Sequence, residues 1–505
     1  MVLADASMTS PEENMSEKMR QTSSIQSAPQ YLLEDIINRL EDARIIANVQ
    51  LVCKDFWGAG NRVRSLRFIV LDVYHERART IDVSSLRTGI LGQSNGGEAS
   101  TSRDPQYGGP QLRFKDQLVK ILEKKHFLVQ LRVEVESKLQ AKTVPEDEKR
   151  RTDFWISDPY FVKKWIPSMK LTLEHLCIVD YGQQAIMRRS TIIKILSENC
   201  KRLKTLDLRN MFLDTADCVE MPSMLSLTWR CVKVTGGALQ DINNIMPKLQ
   251  TLALLGVFGV ERGNLTFIDM KVLCLGLSTP AKDIEMNLPK LEKLQLKMQC
   301  PQKLIINASI LKYVAFNLEV MEPSKVELKC MAGLQELLYG ASSFITLSNL
   351  VDKNPSLNKI FLDIPCMALG EDGRFLGVLK DVPLMLPNFS KLHKCGALEV
   401  LNIGPGLWHC METNVETLAT EETWPSMSRL ILHMIPQSLE PAIRVLQILL
   451  RPSVKFLTIY VHTSSSVKLE NLKPNIEEIV SIRQQHVEVK FFPWTKSLDF
   501  SCFSF

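Results

Sequence analysis

The sequence predicts an α/β fold: an irregular leucine-rich-repeat solenoid of horseshoe shape, preceded by a small helical module. The segment 201–213 has apolar residues in the spacing L-x-x-L-x-L-x-x-x-x-L, and this spacing recurs along most of the chain. A short strand in such a unit buries alternate residues before the chain bends away. One unit cannot cover its own apolar face, so similar units must stack beside it.

Composition and charge exclude several classes of protein. The chain has 505 residues, 45% hydrophobic and 23% charged, with a formal net charge of +5. Because its lysines and arginines are spread along the sequence, nucleic-acid binding is not indicated. No apolar run reaches the roughly 18 residues that a membrane span needs, and no signal-peptide core begins the chain. We therefore expect a cytoplasmic or nuclear protein that contacts no membrane.

The twelve cysteines stand apart and form no C-x-x-C pair. This pattern favours small apolar side chains in a reduced core. The one group that suggests a metal site is His393 and Cys395 with His409 and Cys410, and it lacks the paired spacing of a compact zinc loop. The sequence predicts neither a metal nor a cofactor.

The helical module is expected over residues 30–60, after a polar and disordered tail at 1–29. Apolar residues recur at three- and four-residue steps over 31–40, where Glu34 and Asp35 suit a first turn. Two further short helices are predicted over 44–50 and 51–57. Three such helices bury little by themselves, so we expect them to pack on something else.

The residues Leu32-x-Glu-Asp-Ile-Ile, followed by Leu51-Val-Cys-Lys-Asp-Phe56, resemble an F-box, a motif of L-P-x-D, a hydrophobic pair and then V-C-K-x-W. The resemblance covers 32–57. This chain departs from the motif with Leu33 and Glu41 in place of prolines, and Phe56 in place of tryptophan. The resemblance implies docking to a Skp-type adaptor through these residues: Leu32, Leu33, Ile36, Ile37, Leu40, Val52, Cys53 and Phe56.

The repeat phase begins after this module and continues to residue 490. A first strand and connection are expected at 61–91, a flexible Gly/Ser-rich insertion at 92–112, and the solenoid at 113–490. From Leu249 the first positions are separated by 21, 21, 20, 23 and 23 residues, within the roughly 20–29 residues of this repeat class. Five consecutive steps in phase are the strongest signal in the sequence.

The segments between strands predict the return path of each repeat. Helices are expected over 191–200, 347–351 and 442–450, opposite the strands of the concave side. The position that usually holds a laddered Asn or Cys contains Met211, Val257, Gln299 and Pro365 instead. An insertion is expected near 368–395, and the aromatic segment 491–505 is predicted to be a cap or a tail.

No catalytic signature is present, and an enzyme is not expected. An F-box followed by leucine-rich repeats resembles the plant F-box/leucine-rich-repeat proteins. This resemblance implies a non-catalytic substrate receptor in a Skp–cullin–F-box ubiquitin ligase, which brings an unknown target protein close to the ubiquitin-conjugating enzyme. The polar positions between the strand leucines are the candidate target contacts: Thr205, Asp207, Arg209, Ala253, Lys293, Gln295 and Lys359.

Two alternatives remain at this point. The missing prolines at 33 and 41 leave open a leucine-rich-repeat scaffold that no longer docks an adaptor. A ligand sensor is the other alternative, because Arg202, Lys204 and Arg209 could converge on an anion.

Overall fold

A computed structural model describes thirteen stretches of the chain. They are residues 29–51, 54–70, 114–135, 155–180, 182–319, 325–329, 333–341, 344–369, 374–379, 385–396, 398–421, 423–483 and 486–494. The tail 1–28, the predicted insertion 92–112 and the segment 495–505 lie outside the described residues. So do Val52, Cys53 and the side chain of Phe56.

The chain forms two compact units, Met1–Leu206 and Asp207–Phe505. The boundary falls within the strand Thr205–Leu213, inside the segment with the clearest repeat spacing. Each unit is described by itself.

The first unit combines short helices with parallel strands. Its strands are Ser65–Val70, Gln130–Val135, His175–Val179 and the two-residue Arg189–Ser190. Its helices are Gln30–Leu40, Ala43–Gln50, Lys54–Asn61, Phe114–Leu122, Pro159–Trp165, Gly182–Met187 and Ile192–Asn199, with a 3₁₀ turn at Ile166–Met169.

Three of these strands stack in register, as the repeat phase predicts. Leu66 lies opposite Leu131, which lies opposite Leu176, and all three are buried. Their burial on one face of a parallel ladder is the packing that makes each repeat depend on its neighbours. The predicted strand near residue 63 is therefore present at Ser65–Val70.

The second unit has one long parallel sheet, which we call the main sheet. Each first position of the phase that starts at Leu249 is followed by a strand of this sheet. The strand Glu488–Trp494 extends into 491–505, the segment for which the sequence predicts a cap or a tail. In order, the strands are Thr205–Leu213, Ser226–Val234, Thr251–Val257, Val272–Leu277, Lys293–Gln299, Tyr313–Glu319, Glu336–Ala341, Lys359–Asp363, Val400–Ile403, Arg429–Met434, Phe456–His462 and Glu488–Trp494.

The first strands of this sheet carry a bulge where the usual Asn ladder is missing. Asn210, Cys231 and Gly256 have left-handed φ values of 57°, 51° and 67°. One residue in this conformation shifts the two-residue alternation of buried and outward-facing side chains by one position. The residues just after it, such as Met211 and Val257, are therefore buried together with the strand leucines.

The middle repeats do not return through helices. Their return segments are strands that form a second, four-stranded parallel sheet, which we call the return sheet. Burial alternates along it, as in Ile284 and Met286, so its inner side chains share a core with the main sheet. The strands are Arg262–Thr266, Asp283–Asn287, Lys303–Asn307 and Lys325–Lys329.

The return between the first two strands of the second unit, residues 214–225, consists of turns, and the remaining returns contain helices. The predicted helices near 347–351 and 442–450 are Ile345–Lys353 and Leu439–Leu449. The others are Ala238–Ile245, Phe389–Leu392, Pro405–Thr413, Val415–Ala419 and Leu469–Arg483. Within the predicted insertion, Met367–Leu369 and Phe375–Val378 form an antiparallel pair.

Two kinds of feature are absent from the described stretches. None of their helices combines the length and the apolar character needed to cross a membrane. They also contain no cluster of three or more His, Cys, Asp or Glu side chains that could hold a metal ion.

Candidate adaptor-binding and target-binding surfaces

The first helix, Gln30–Leu40, separates the predicted adaptor residues into two stripes. Leu33 and Ile37 are buried, four residues apart on one side. Leu32 is exposed, and Ile36 and Leu40 are half-buried. Leu33 and Ile37 therefore hold the module together and cannot be contact residues, which corrects their assignment. Leu32, Ile36 and Leu40 remain candidate contacts.

Four more large apolar side chains of this module are open to solvent, and the sequence analysis did not select them. Leu51 is 84% exposed, Tyr31 74%, Trp57 60% and Ile45 47%. Single exposed apolar residues are normal, but several within one small module indicate a surface that binds a partner. The sequence alone does not single them out, because only packing decides which apolar positions of these short helices face inward.

Polar contacts tie the helical module to the first strand of the same unit. The Arg62 Nη1 lies 3.1 Å from the Glu34 Oε1, so the end of the third helix is joined to the first. The Asn38 Oδ1 accepts a hydrogen bond of 2.7 Å from the Arg64 amide. Glu34 lies beyond the first turn, because the helix begins at Gln30, so it acts through this ion pair and not through the helix dipole.

A buried lysine fixes the end of the third helix. The Lys125 ammonium donates to the carbonyl of Gly60, in the last turn of Lys54–Asn61. Burial, with a smaller effect of Lys124, lowers the pKa of Lys125 to about 8. A cation at a helix C-terminus is favourable because the last carbonyls carry partial negative charge. This contact holds the module in one position on the unit.

Several predicted target contacts are already engaged within the chain. The Thr205 Oγ1 lies 2.8 Å from the His175 Nδ1. Asp207 and Arg209 pair with each other at 2.6 Å on the same strand. Lys293 lies over the ring of Tyr313, 5.0 Å from its centroid. These side chains are at the surface, but a partner would have to compete for them.

Gln295 is fully buried, so its prediction as a target contact is wrong. Its Oε1 accepts from the Cys274 Sγ at 2.8 Å, and its Nε2 has no partner among the described residues. Ala253, on a neighbouring strand, is also buried. Lys359 is exposed and has no carboxylate within 4 Å in the described part of the chain. It is therefore the most accessible of the predicted contacts.

The basic cluster suggested for an anion is neutralised by the protein itself. Glu174 pairs with Lys204 at 2.6 Å and with Arg202 at 3.0 Å. The hydrogen bond from Lys204 is the main cause of the lowered pKa of Glu174, followed by smaller effects that include Arg202. Arg209 is also paired, with Asp207, so each of the three cations already has a carboxylate partner. The geometry gives the ligand-sensor alternative no support.

An aromatic group that the sequence analysis missed covers the outer face of the last strands. His433 stacks on Tyr460 with centroids 4.7 Å apart, and Tyr460 stacks on Phe492 at 5.3 Å. Trp494 meets His462 edge to face at 4.4 Å. No local pattern reveals this group, since its members come from three strands that are separated by about thirty residues each.

The fold defines a repeat protein whose strands stack in a long parallel sheet. No protein-family model matches the chain. An F-box/LRR-repeat protein of Arabidopsis thaliana is 24% identical to it over 332 residues, which cover 64% of this chain and 68% of that protein. The chain is thus similar to a plant F-box/leucine-rich-repeat protein, as the resemblance of its sequence predicts.

Proposed function

We propose that the protein is the substrate receptor of a Skp–cullin–F-box ubiquitin ligase. The helical module docks a Skp-type adaptor, and the repeats hold the target protein. The observation that carries this proposal is the set of exposed apolar side chains on the module, such as Leu32, Leu51 and Trp57. An F-box name on the Arabidopsis relative supports the same class of partner.

The proposal gives the two stripes of the first helix different roles. Leu33 and Ile37 form the buried core of the module, while Leu32 and the half-buried Ile36 contact the adaptor. An aromatic anchor such as Trp57 is the kind of residue that dominates protein interfaces. The receptor contributes no catalytic group. It raises the effective concentration of target lysines near the charged conjugating enzyme.

The proposal is tested by co-purifying the full chain with a Skp-type adaptor and measuring their affinity by calorimetry. Trp57→Glu introduces a charge into the exposed apolar surface, and we expect binding to weaken at least about tenfold, as for an interface anchor. Phe127→Glu is the matched control, because Phe127 is 57% exposed in the same unit and lies outside the module. We expect it to bind the adaptor as the wild type does.

Two results would overturn the ligase assignment. One is a folded wild-type chain that binds no adaptor, which would favour the scaffold alternative with a degenerate F-box. The other is equal loss of binding in Trp57→Glu and Phe127→Glu, which would show that the module is not the docking surface.

A further inference from the structure

The stacked rings at the end of the main sheet occupy one register position on three adjacent strands. His433 lies opposite Tyr460, and Tyr460 lies opposite Phe492. Their planes are nearly parallel, at 5° and 24°. They alternate along the strands with buried residues such as Leu432 and Ile459. The rings therefore lie on the outer face of the sheet, which is the face that points away from these core residues.

The stack ends in an open ring. Phe492 belongs to the last strand of the main sheet in the described part of the chain, and 41% of it is exposed. Among the described residues, only Tyr460 stacks on it. Offset stacking of a further aromatic ring on Phe492 would continue the row and remove apolar surface from water.

Two polar atoms beside these rings lack a hydrogen-bond partner among the described residues. The His433 Nδ1 and the Asn402 Oδ1 are buried without a hydrogen bond in the described part of the chain. Asn402 lies opposite Ile431, two residues from His433, so the two side chains are diagonal neighbours on one face. Phe361 completes the group, opposite Asn402 and 6.4 Å from the His433 ring.

Unpaired buried polar atoms of this kind destabilise a protein until a ligand satisfies them. A peptide group offers both a donor and an acceptor, and so it suits the pair formed by Asn402 and His433. The aromatic side chain of the same peptide could stack on Phe492. The structure thus provides polar positions for a main chain and an apolar position for a ring.

Three of these strands begin with a charged residue, and the acidic one, Glu488, is paired with Lys490 at 2.8 Å. Lys359 and Arg429 begin two of these strands, both are exposed, and neither has a carboxylate within 4 Å among the described residues. Arg429 lies over the ring of Phe456, 5.4 Å from its centroid. These cations favour acidic residues on a partner. A small molecule bound to this open strand face would remain largely exposed to solvent. An extended peptide segment could instead lie along the face and contact several strands.

We propose that this aromatic face, defined as Phe361, Asn402, His433, Tyr460 and Phe492, binds an extended acidic segment of the target protein that carries an aromatic side chain. The assignment of this segment to a target rests on the proposed receptor function. Peptide binding by the face itself can be measured without an adaptor, so the two proposals can fail separately.

The probe is a fluorescein-labelled peptide with one tryptophan flanked on each side by two glutamates, added to the full chain and followed by fluorescence polarisation. We expect saturable binding that is about tenfold weaker in Phe492→Ala, because one stacking contact and its buried area are lost. His433→Leu replaces the imidazole with an apolar side chain of similar size and should also weaken binding. Lys359→Glu should weaken it two- to fivefold, with less effect at high salt.

Matched controls come from the same unit. Phe258→Ala removes an aromatic side chain that is 39% exposed, and Lys297→Glu reverses a charge on the outer face of a middle strand. We expect both to bind the peptide as the wild type does. Circular dichroism of each variant checks that the fold is retained.

Several outcomes would overturn the proposal. They are a wild-type chain that does not bind the peptide at millimolar concentration, unchanged binding in Phe492→Ala and His433→Leu, and equal binding of a lysine-flanked peptide. Equal affinity for N-acetyltryptophanamide alone would reassign the face to a small planar ligand. If the peptide fails while the adaptor binds, the receptor function stands and only the aromatic face is wrong.

Discussion

The middle repeats and the last repeats of the second unit use different return segments between the strands of the main sheet. Between residues 249 and 311 the repeats have 20 or 21 residues, and each returns through a strand. The repeats that start at 398 and 427 have 29 and 27 residues, and they return through Pro405–Thr413 and Leu439–Leu449. The number of residues available for the return thus differs between the two regions.

The physical reason is the rise per residue. A strand advances about 3.3 Å per residue and a helix about 1.5 Å, so a helix needs roughly twice as many residues to cross the same return distance. Repeats of 23 residues occur with either return, at Lys325–Lys329 and at Ile345–Lys353. Repeat length therefore determines the type of return segment in the short and in the long repeats. In repeats of intermediate length, the local sequence determines whether the return is a strand or a helix.

The outer faces of the two regions differ as well. In the middle strands, Cys274 and Ala315 flank the buried Gln295, and Ala253 lies opposite Cys274. In the last strands the outer residues include the rings of His433, Tyr460 and Phe492, and Phe492 is open to solvent. We infer that the middle repeats mainly supply stacking, and that the last repeats offer the surface for a partner.

The largest expected effect tests the return sheet of the middle repeats. Ile306 is fully buried, so Ile306→Asp removes apolar packing and places a carboxylate in the core. We expect a loss of more than about 4 kcal/mol in the free energy of unfolding, as for other buried charges of this kind. Denaturant unfolding followed by circular dichroism measures it.

The control is Ile305→Asp, because Ile305 is the next residue and points to the other side of the return sheet, where it is half-buried. Its cost should stay below about 1.5 kcal/mol. Equal costs for the two variants would mean that the return strands do not share a core with the main sheet.

A loss of stability of intermediate size is expected when the helical return of the last repeats is perturbed. The Asp363 Oδ1 accepts from the amides of Gly406 and Leu407, at 2.9 and 3.1 Å, and so caps the helix Pro405–Thr413 from a neighbouring strand. Gly404 leaves room for this carboxyl group, since an added Cβ would lie 2.3 Å from its Cγ. Asp363→Ala should cost about 1–3 kcal/mol, because the helix amides lose their acceptor.

The same residue predicts a dependence on pH. Burial raises the pKa of Asp363 to about 7 from 3.8, although the amides of Leu407, Ile364 and Gly406 act in the opposite direction. The folded chain thus keeps a proton that the unfolded chain loses, and its contribution to stability falls as pH rises from about 4 to about 7. Calorimetric melting between pH 5 and 8 should show this slope in the wild type and a smaller slope in Asp363→Asn. An unchanged slope would contradict it.

The smallest effect tests the outer face of the middle strands. Gln295→Met removes the unpartnered Nε2 and also the acceptor for Cys274, so the two changes partly offset each other. We expect the free energy of unfolding to increase by no more than about 1 kcal/mol. Binding of the acidic tryptophan peptide should not change. A loss of peptide binding here would remove the functional difference between the two regions.

The strands could be predicted because each depends on a local period. Leu203 and Leu206 specify burial within their own repeat, and the recurrence of their spacing specifies the stack. The helix Gln30–Leu40 was predictable for the same reason. The split between Leu32 and Leu33 was not, because both fit the helical period and only packing decides which one faces inward.

By itself, the sequence determined that apolar residues recur in a stackable unit and that a helical module precedes the stack. Tertiary structure decided the rest. It decided that the short repeats return through strands, that Gln295 is buried, and that Glu174 neutralises Arg202 and Lys204. It also brought His433, Tyr460 and Phe492 into one stack. The reason is distance along the chain: a period acts over a few residues, whereas these contacts join residues about twenty to thirty positions apart, which meet only after the repeats have stacked.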